Sequence, residues 1–99
     1  MKIRILTSAI DDLNRGYLFY ENQMPDLGDY FLNSLFSDID SLALNGGIHL
    51  KFEGYYRMLS KRFPYAVYYK IDNENTVIVW RVLDMRRDPE KNRHDLSIE

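Results

Sequence analysis

Between Tyr55 and Pro89 the chain reads YYRMLSKRFPYAVYYKIDNENTVIVWRVLDMRRDP, a run rich in Val, Ile, Tyr, Phe and Trp with only two strong interruptions. Branched and flat side chains suit a pleated surface, whereas Arg62-Phe63-Pro64 and Asp72-Asn73-Glu74-Asn75 suit turns. The spacing predicts three consecutive antiparallel strands, from Tyr55 to about Lys61, Tyr65 to Ile71 and Thr76 to Leu83, joined by hairpins. In the second strand Tyr65, Val67, Tyr69 and Ile71 share one side while Ala66 and Tyr68 share the other. In the third, Val77, Val79 and Leu83 are expected to oppose Ile78, Trp80 and Val82. Neither face is polar, so the sheet is expected to be packed on both sides or to keep an apolar face for a partner chain or a second copy.

The segment before this meander reads as a strand followed by two helices. Ile3 and Ile5 alternate with Lys2 and Arg4 in a short strand that should join the sheet. Thr7 and Ser8 are candidate N-caps, with Asp11 in capping-box position relative to Ser8. Leu13, Tyr17 and Tyr20 then recur at helical spacing between Ala9 and Met24, and Asp12, Arg15 and Glu21 lie off that stripe. Gly16 costs such a helix about 1 kcal/mol relative to Ala, so it marks either a weaker helix or a close approach of another backbone.

Met24-Pro25-Asp26 ends this helix and opens the next. Leu27, Phe31, Leu35, Ile39 and Leu42 form its apolar stripe, widened by Leu32 and Phe36, with Asp29, Asn33, Ser37 and Asp40 away from it. Asn45-Gly46-Gly47 is the stop, because Asn and Gly accept the left-handed backbone that closes a helix. The order is βααβββ, an α+β arrangement in which an antiparallel helical hairpin packs on a small, mainly antiparallel sheet.

Ninety-nine residues suit one domain spanning 1–99, large enough to bury a core without staples. The chain has no cysteine, which excludes disulfides, thiolate metal sites and cysteine nucleophiles. The start, MKIRILTSAIDDL, meets acids too early for a signal peptide and no segment approaches a bilayer span, so a cytoplasmic protein is expected. Net charge is −2, with acids prevailing up to Leu50 and arginines and lysines prevailing from Lys51 to His94. Such polarity fits a patch for an anionic partner, although a solvated surface commonly looks the same.

No metal or cofactor is expected. Asp11-Asp12 and Asp38-Ile39-Asp40 sit on helices without a nearby His and read as solvated carboxylates. Gly46-Gly47 lacks the Lys-Ser/Thr of a phosphate loop, and His49 has no Ser or Cys partner that the sequence can place. Tyr55, Tyr56, Tyr65, Tyr68 and Tyr69 have the chemistry to stack on bases, but tyrosine-rich strands are more often core or partner surface.

The order βααβββ, the stretch YYRMLSKRFPYAVYYKI and the later VLDMRRDP closely resemble the RelE/ParE superfamily, the toxin halves of bacterial type II toxin–antitoxin modules. Arg62-Phe63-Pro64-Tyr65 and Arg86-Arg87-Asp88-Pro89 are the most specific parts and resemble the ParE-like branch. The resemblance implies a cognate antitoxin, a toxin–antitoxin hetero-oligomer or homodimer, and one of two actions. RelE-like members cut messenger RNA in the ribosome without a metal, using basic residues on central strands and a Tyr or His near the C-terminus. ParE-like members are implied to poison DNA gyrase by binding it.

Aligned through the second strand, Tyr65 falls where the ribonucleases set an Arg, and no Tyr follows Trp80. For a ribonuclease the weak catalytic candidates are therefore Arg81, Arg86 and His94, and a lone His in a polar tail is usually a surface residue. A mildly acidic chain also suits a ribosomal RNA site poorly. The resemblance thus favours gyrase binding, with Arg57, Arg62, Tyr65, Arg86 and Arg87 as target-binding candidates, and leaves a non-toxic protein-binding module on the same fold as a second alternative. The bland reading beside it is that Arg57 and Arg62 stack on aromatic neighbours or pair with acids, while Arg86 and Arg87 satisfy carbonyls at the strand end.

Overall fold

A computed structural model describes residues 1–98. The elements in chain order are β1 (Lys2–Ile5), α1 (Thr7–Glu21), α2 (Leu27–Asp40), the single turn α3 (Leu42–Asn45), β2 (Lys51–Phe52), β3 (Tyr55–Leu59), β4 (Tyr65–Ile71), β5 (Thr76–Asp84) and α4 (Pro89–Ser97). The expected α+β architecture is present, with three additions: α3, the two-residue strand β2 and the terminal helix α4. The sheet order is β1-β5-β4-β3-β2, antiparallel throughout except that β1 runs parallel to β5.

The helical hairpin lies on one face of this sheet. Ala9, Leu13, Tyr20, Phe31, Leu35 and Ile39 pack against Met58, Tyr65, Val67, Tyr69, Val77, Val79 and Val82. Two glycines permit the closeness of the helices. A Cβ on Gly16 would stand 2.5 Å from the Phe31 ring, and one on Gly28 would stand 2.7 Å from the Tyr17 carbonyl oxygen. Gly16 therefore faces a ring rather than a backbone; the backbone approach is at Gly28. Glu21, at the end of α1, accepts from the N–H groups of Asp26 and Gly28 at 3.0 and 2.9 Å and so caps α2 across the turn.

The third strand of the meander departs from simple alternation. The β4–β5 register pairs Tyr68 with Arg81 but Tyr69 with Val79, leaving a bulge at Trp80. The extra residue shifts the pattern, so Val82 joins Val77 and Val79 on the helical side while Leu83 joins Trp80 on the other. This reverses the expected placement of Val82 and Leu83.

The second apolar face is covered from within the chain. Tyr55, Ala66, Tyr68 and Leu83, with Phe52 and Trp80 beside them, pack against Leu96 of α4. The tail expected to be polar and solvated is thus a helix, opened by Asp88, whose carboxylate accepts from the Glu90 N–H, and by Pro89 in the first turn. Tyr55 donates its hydroxyl to the Leu96 carbonyl at 2.9 Å, and Asn92 donates to the Asp84 carbonyl at 3.1 Å.

Two acids expected at the surface are buried instead, each at 5 % exposure. β1 ends too early to pair the whole of β5, and α1 completes the edge with side chains. Ser8 donates its hydroxyl to the Trp80 carbonyl at 2.8 Å, and the Asp12 carboxylate accepts the Val82 N–H at 2.9 Å. Ser8 is therefore not an N-cap, and α1 starts after Leu6 without a side-chain cap. Asp38 accepts from the Ser60 hydroxyl at 2.7 Å and the Lys61 N–H at 3.3 Å, which ties α2 to the β3–β4 turn and ends β3 before Lys61. Buried carboxylates are tolerated when their lone pairs are used in this way. Among the described residues no helix is long and apolar enough to cross a membrane.

Candidate partner-binding site

The turn after β5 and the start of α4 form one wall of a groove whose other wall is β3. It encloses about 200 Å³. Arg57, Arg87 and Arg93 line it above an apolar floor of Phe52, Tyr68 and Met85. Arg57 lies over the Phe52 ring at 4.6 Å, and Arg93 approaches the same ring at 5.7 Å. Stacking leaves the edges of a guanidinium available to an incoming acceptor. Arg93 also pairs with Glu90 at 2.5 Å and Glu53 at 3.2 Å, and Arg87 with Asp95 at 2.9 Å. The Glu90 hydrogen bond and charge, with Glu53 after it, push the Arg93 pKa up.

Arg86 points away from this groove, toward the helical hairpin. Its Nε and Nη2 donate to the two Asp84 oxygens at 3.0 and 2.9 Å, and its guanidinium lies 5.3 Å from the Phe19 ring and 5.8 Å from the Tyr20 ring. Burial disfavours the Asp84 carboxylate, but the Arg86 hydrogen bonds and charge outweigh it and hold the Asp84 pKa low. Tyr65 sits beneath, 6 % exposed, its ring 4.9 Å from Phe31. Burial, then the Asp84 charge, pushes the Tyr65 hydroxyl up to about 12.

The residues singled out from the sequence thus divide. Arg57 and Arg87 meet in the groove. Tyr65 and Arg86 belong to the aromatic cluster around Tyr20, and Arg62 is exposed in the β3–β4 turn with no ion pair among the described residues. Arg81 is 15 % exposed at its side chain and held by Asp12 at 2.7 Å and Asp95 at 3.5 Å. His94 is exposed on α4 and does not line the groove. Arg93 is not among the residues the sequence singles out, because α4 is not among the expected elements; Asp88-Pro89, a cap followed by a first-turn proline, is the signal for the helix that carries it.

The chain is thus a small α+β fold with a helical hairpin on one face of a five-stranded sheet and the arginine groove on the other. The structure matches a chain of the chromosomal ParDE toxin–antitoxin system from P. aeruginosa with a TM-score of 0.73 at 16% identity, covering 83% of this chain and 92% of that one. A chain of the RelBE2 toxin–antitoxin complex from Mycobacterium tuberculosis matches with a TM-score of 0.49 at 27% identity, over 82% of this chain and 93% of that one. No curated protein matches. The family model of the ParE toxin of the type II toxin–antitoxin system parDE covers residues 3–89, and the chain belongs to that family. The match stops where α4 starts.

Proposed function

We propose that this toxin stops growth by binding DNA gyrase and that a cognate antitoxin neutralises it. The family match over residues 3–89 carries the reading. The groove supports it, because Arg57, Arg87 and Arg93 are stacked or paired cations suited to gripping an acidic or polar partner surface. The position of Tyr65 supports it too. Tyr65 stands where the ribonucleases set an Arg and, buried among aromatic rings, supplies no cation to a scissile phosphate.

Controlled expression of the chain tests the toxin reading, alone and beside any short open reading frame found to adjoin its gene. Arrest by the chain alone, with rescue and near-stoichiometric co-purification when both are made, is the expected result. Normal growth despite abundant folded protein contradicts it.

A further inference from the structure

Met85, one of four methionines, stands just past the end of β5 and lines the arginine groove beside Arg57, Arg87 and Arg93. It is 38% exposed, so small solutes reach it from the groove. Met24, 56% exposed, lies in the turn between α1 and α2 and does not line the groove. Met58 is 7% exposed and packs in the core under the helices.

The Met85 sulfur shares the groove with hydrogen-bond donors. Tyr68 is 1% exposed, and among the described residues its hydroxyl makes a single hydrogen bond, to Met85 Sδ at 3.6 Å. Buried hydroxyls ordinarily find an oxygen or nitrogen acceptor, and a thioether is a weak substitute. The three guanidiniums of the groove can only donate as well. Among them Arg57 rests on the Phe52 ring, with no ion pair to a carboxylate among the described residues. An oxygen placed on this sulfur therefore meets a buried hydroxyl and an arginine that both lack a strong acceptor.

We propose that Met85 is a site of oxidation by hydrogen peroxide, and that its sulfoxide closes the groove to the partner. The proposal rests on the reading of the groove as the partner-binding site. A sulfur lone pair attacks one peroxide oxygen, and the S–O bond forms as the O–O bond breaks. Hydroxide leaves and takes up the proton of the transferred oxygen, giving sulfoxide and water; sulfur is oxidised and the peroxide reduced. The sulfoxide oxygen accepts from the Tyr68 hydroxyl more strongly than sulfur does, and competes with the partner for the Arg57 N–H groups. The groove floor also changes from apolar to polar.

Limited treatment of the isotope-labelled protein with hydrogen peroxide, read by peptide mass spectrometry, should oxidise Met24 and Met85 and spare Met58. In the same sample the side-chain N–H signal of Arg57 should shift. Gyrase inhibition should fall about tenfold, the size expected when a charged hydrogen bond must be displaced. Met24→Leu should respond as the native chain does, whereas Met85→Leu, compared only with itself before and after treatment, should not respond. Should the latter fail to fold, Met85→Gln, whose amide oxygen imitates the sulfoxide, should reproduce the oxidised Arg57 signal without peroxide. A Met85 spared together with Met58, an Arg57 signal unmoved by Met85 oxidation, or equal responses of the native chain and Met85→Leu overturns the proposal. Undiminished inhibition by the oxidised protein overturns it too. If the untreated protein leaves gyrase unaffected, the gyrase reading fails, while the mass spectra and the Arg57 signal still decide this one.

Discussion

Asp12 of α1 and Arg81 of β5, 69 positions apart, form a bidentate pair, with Arg81 Nε and Nη2 donating to the two carboxylate oxygens at 2.7 and 2.9 Å. The same carboxylate accepts the Val82 N–H and pairs with Arg15 at 2.6 Å. One side chain therefore completes a sheet edge, anchors the first helix and neutralises a nearly buried arginine. The Asp12 hydrogen bond, set against the cost of burial, holds the Arg81 pKa above its ordinary value.

Asp12→Ala leaves the Val82 N–H unpaired and Arg81 with only its longer contacts to Asp95. The expected loss of stability is about 3–5 kcal/mol, the range for breaking a buried pair from one side. Urea denaturation measures it, and a loss below about 1 kcal/mol would show that the pair contributes no more than a surface one.

This pair also shows where sequence reading stops. The stripes of α1 and α2 and the spans of β4 and β5 were legible, because period 3.6 and period 2 are written in single residues such as Phe31, Leu35, Val67 and Tyr69. Asp12 was not, because a carboxylate off the apolar stripe looks the same whether it meets water or the open edge of β5. The bulge at Trp80 carries no residue signature either, yet it exchanges the faces of Val82 and Leu83. In the candidate site Arg57 and Arg87 were named from the sequence, but only folding separates them from Arg86, which Asp84 and the Phe19 and Tyr20 rings draw to the other side.

Acidification should loosen the connection between α3 and β2. The Tyr69 hydroxyl accepts the Gly47 N–H at 2.9 Å and lies 2.6 Å from His49 Nδ1, to which it can give its own proton only while that nitrogen is unprotonated. Burial lowers the His49 pKa below the ordinary 6.5. A depressed folded-state pKa contributes stability that is present above about 6.5 and is lost as pH falls through the lower folded value. Urea midpoints across that window should fall with pH in the native chain and fall less in His49→Gln. Identical pH profiles for the two would contradict the latch.

Arg87→Ala should separate binding from folding. Arg87 is 35% exposed and its partner Asp95 is also engaged by Arg81, so the loss of stability should stay within roughly 1 kcal/mol. Toxicity should nonetheless weaken, and weaken further with Arg57→Ala. Thermal melts beside a growth assay check this, and a folded double variant with full toxicity would remove the groove from the site.

Supercoiling by purified gyrase reads out whether the toxin acts on that enzyme through the arginine groove, as proposed. Added native protein should inhibit supercoiling or trap cleaved DNA, and the folded Arg57→Ala, Arg87→Ala double variant should do so far less. An unaffected gyrase, together with messages cut on the ribosome in cells expressing the chain, would contradict the account and assign the protein to RNA cleavage.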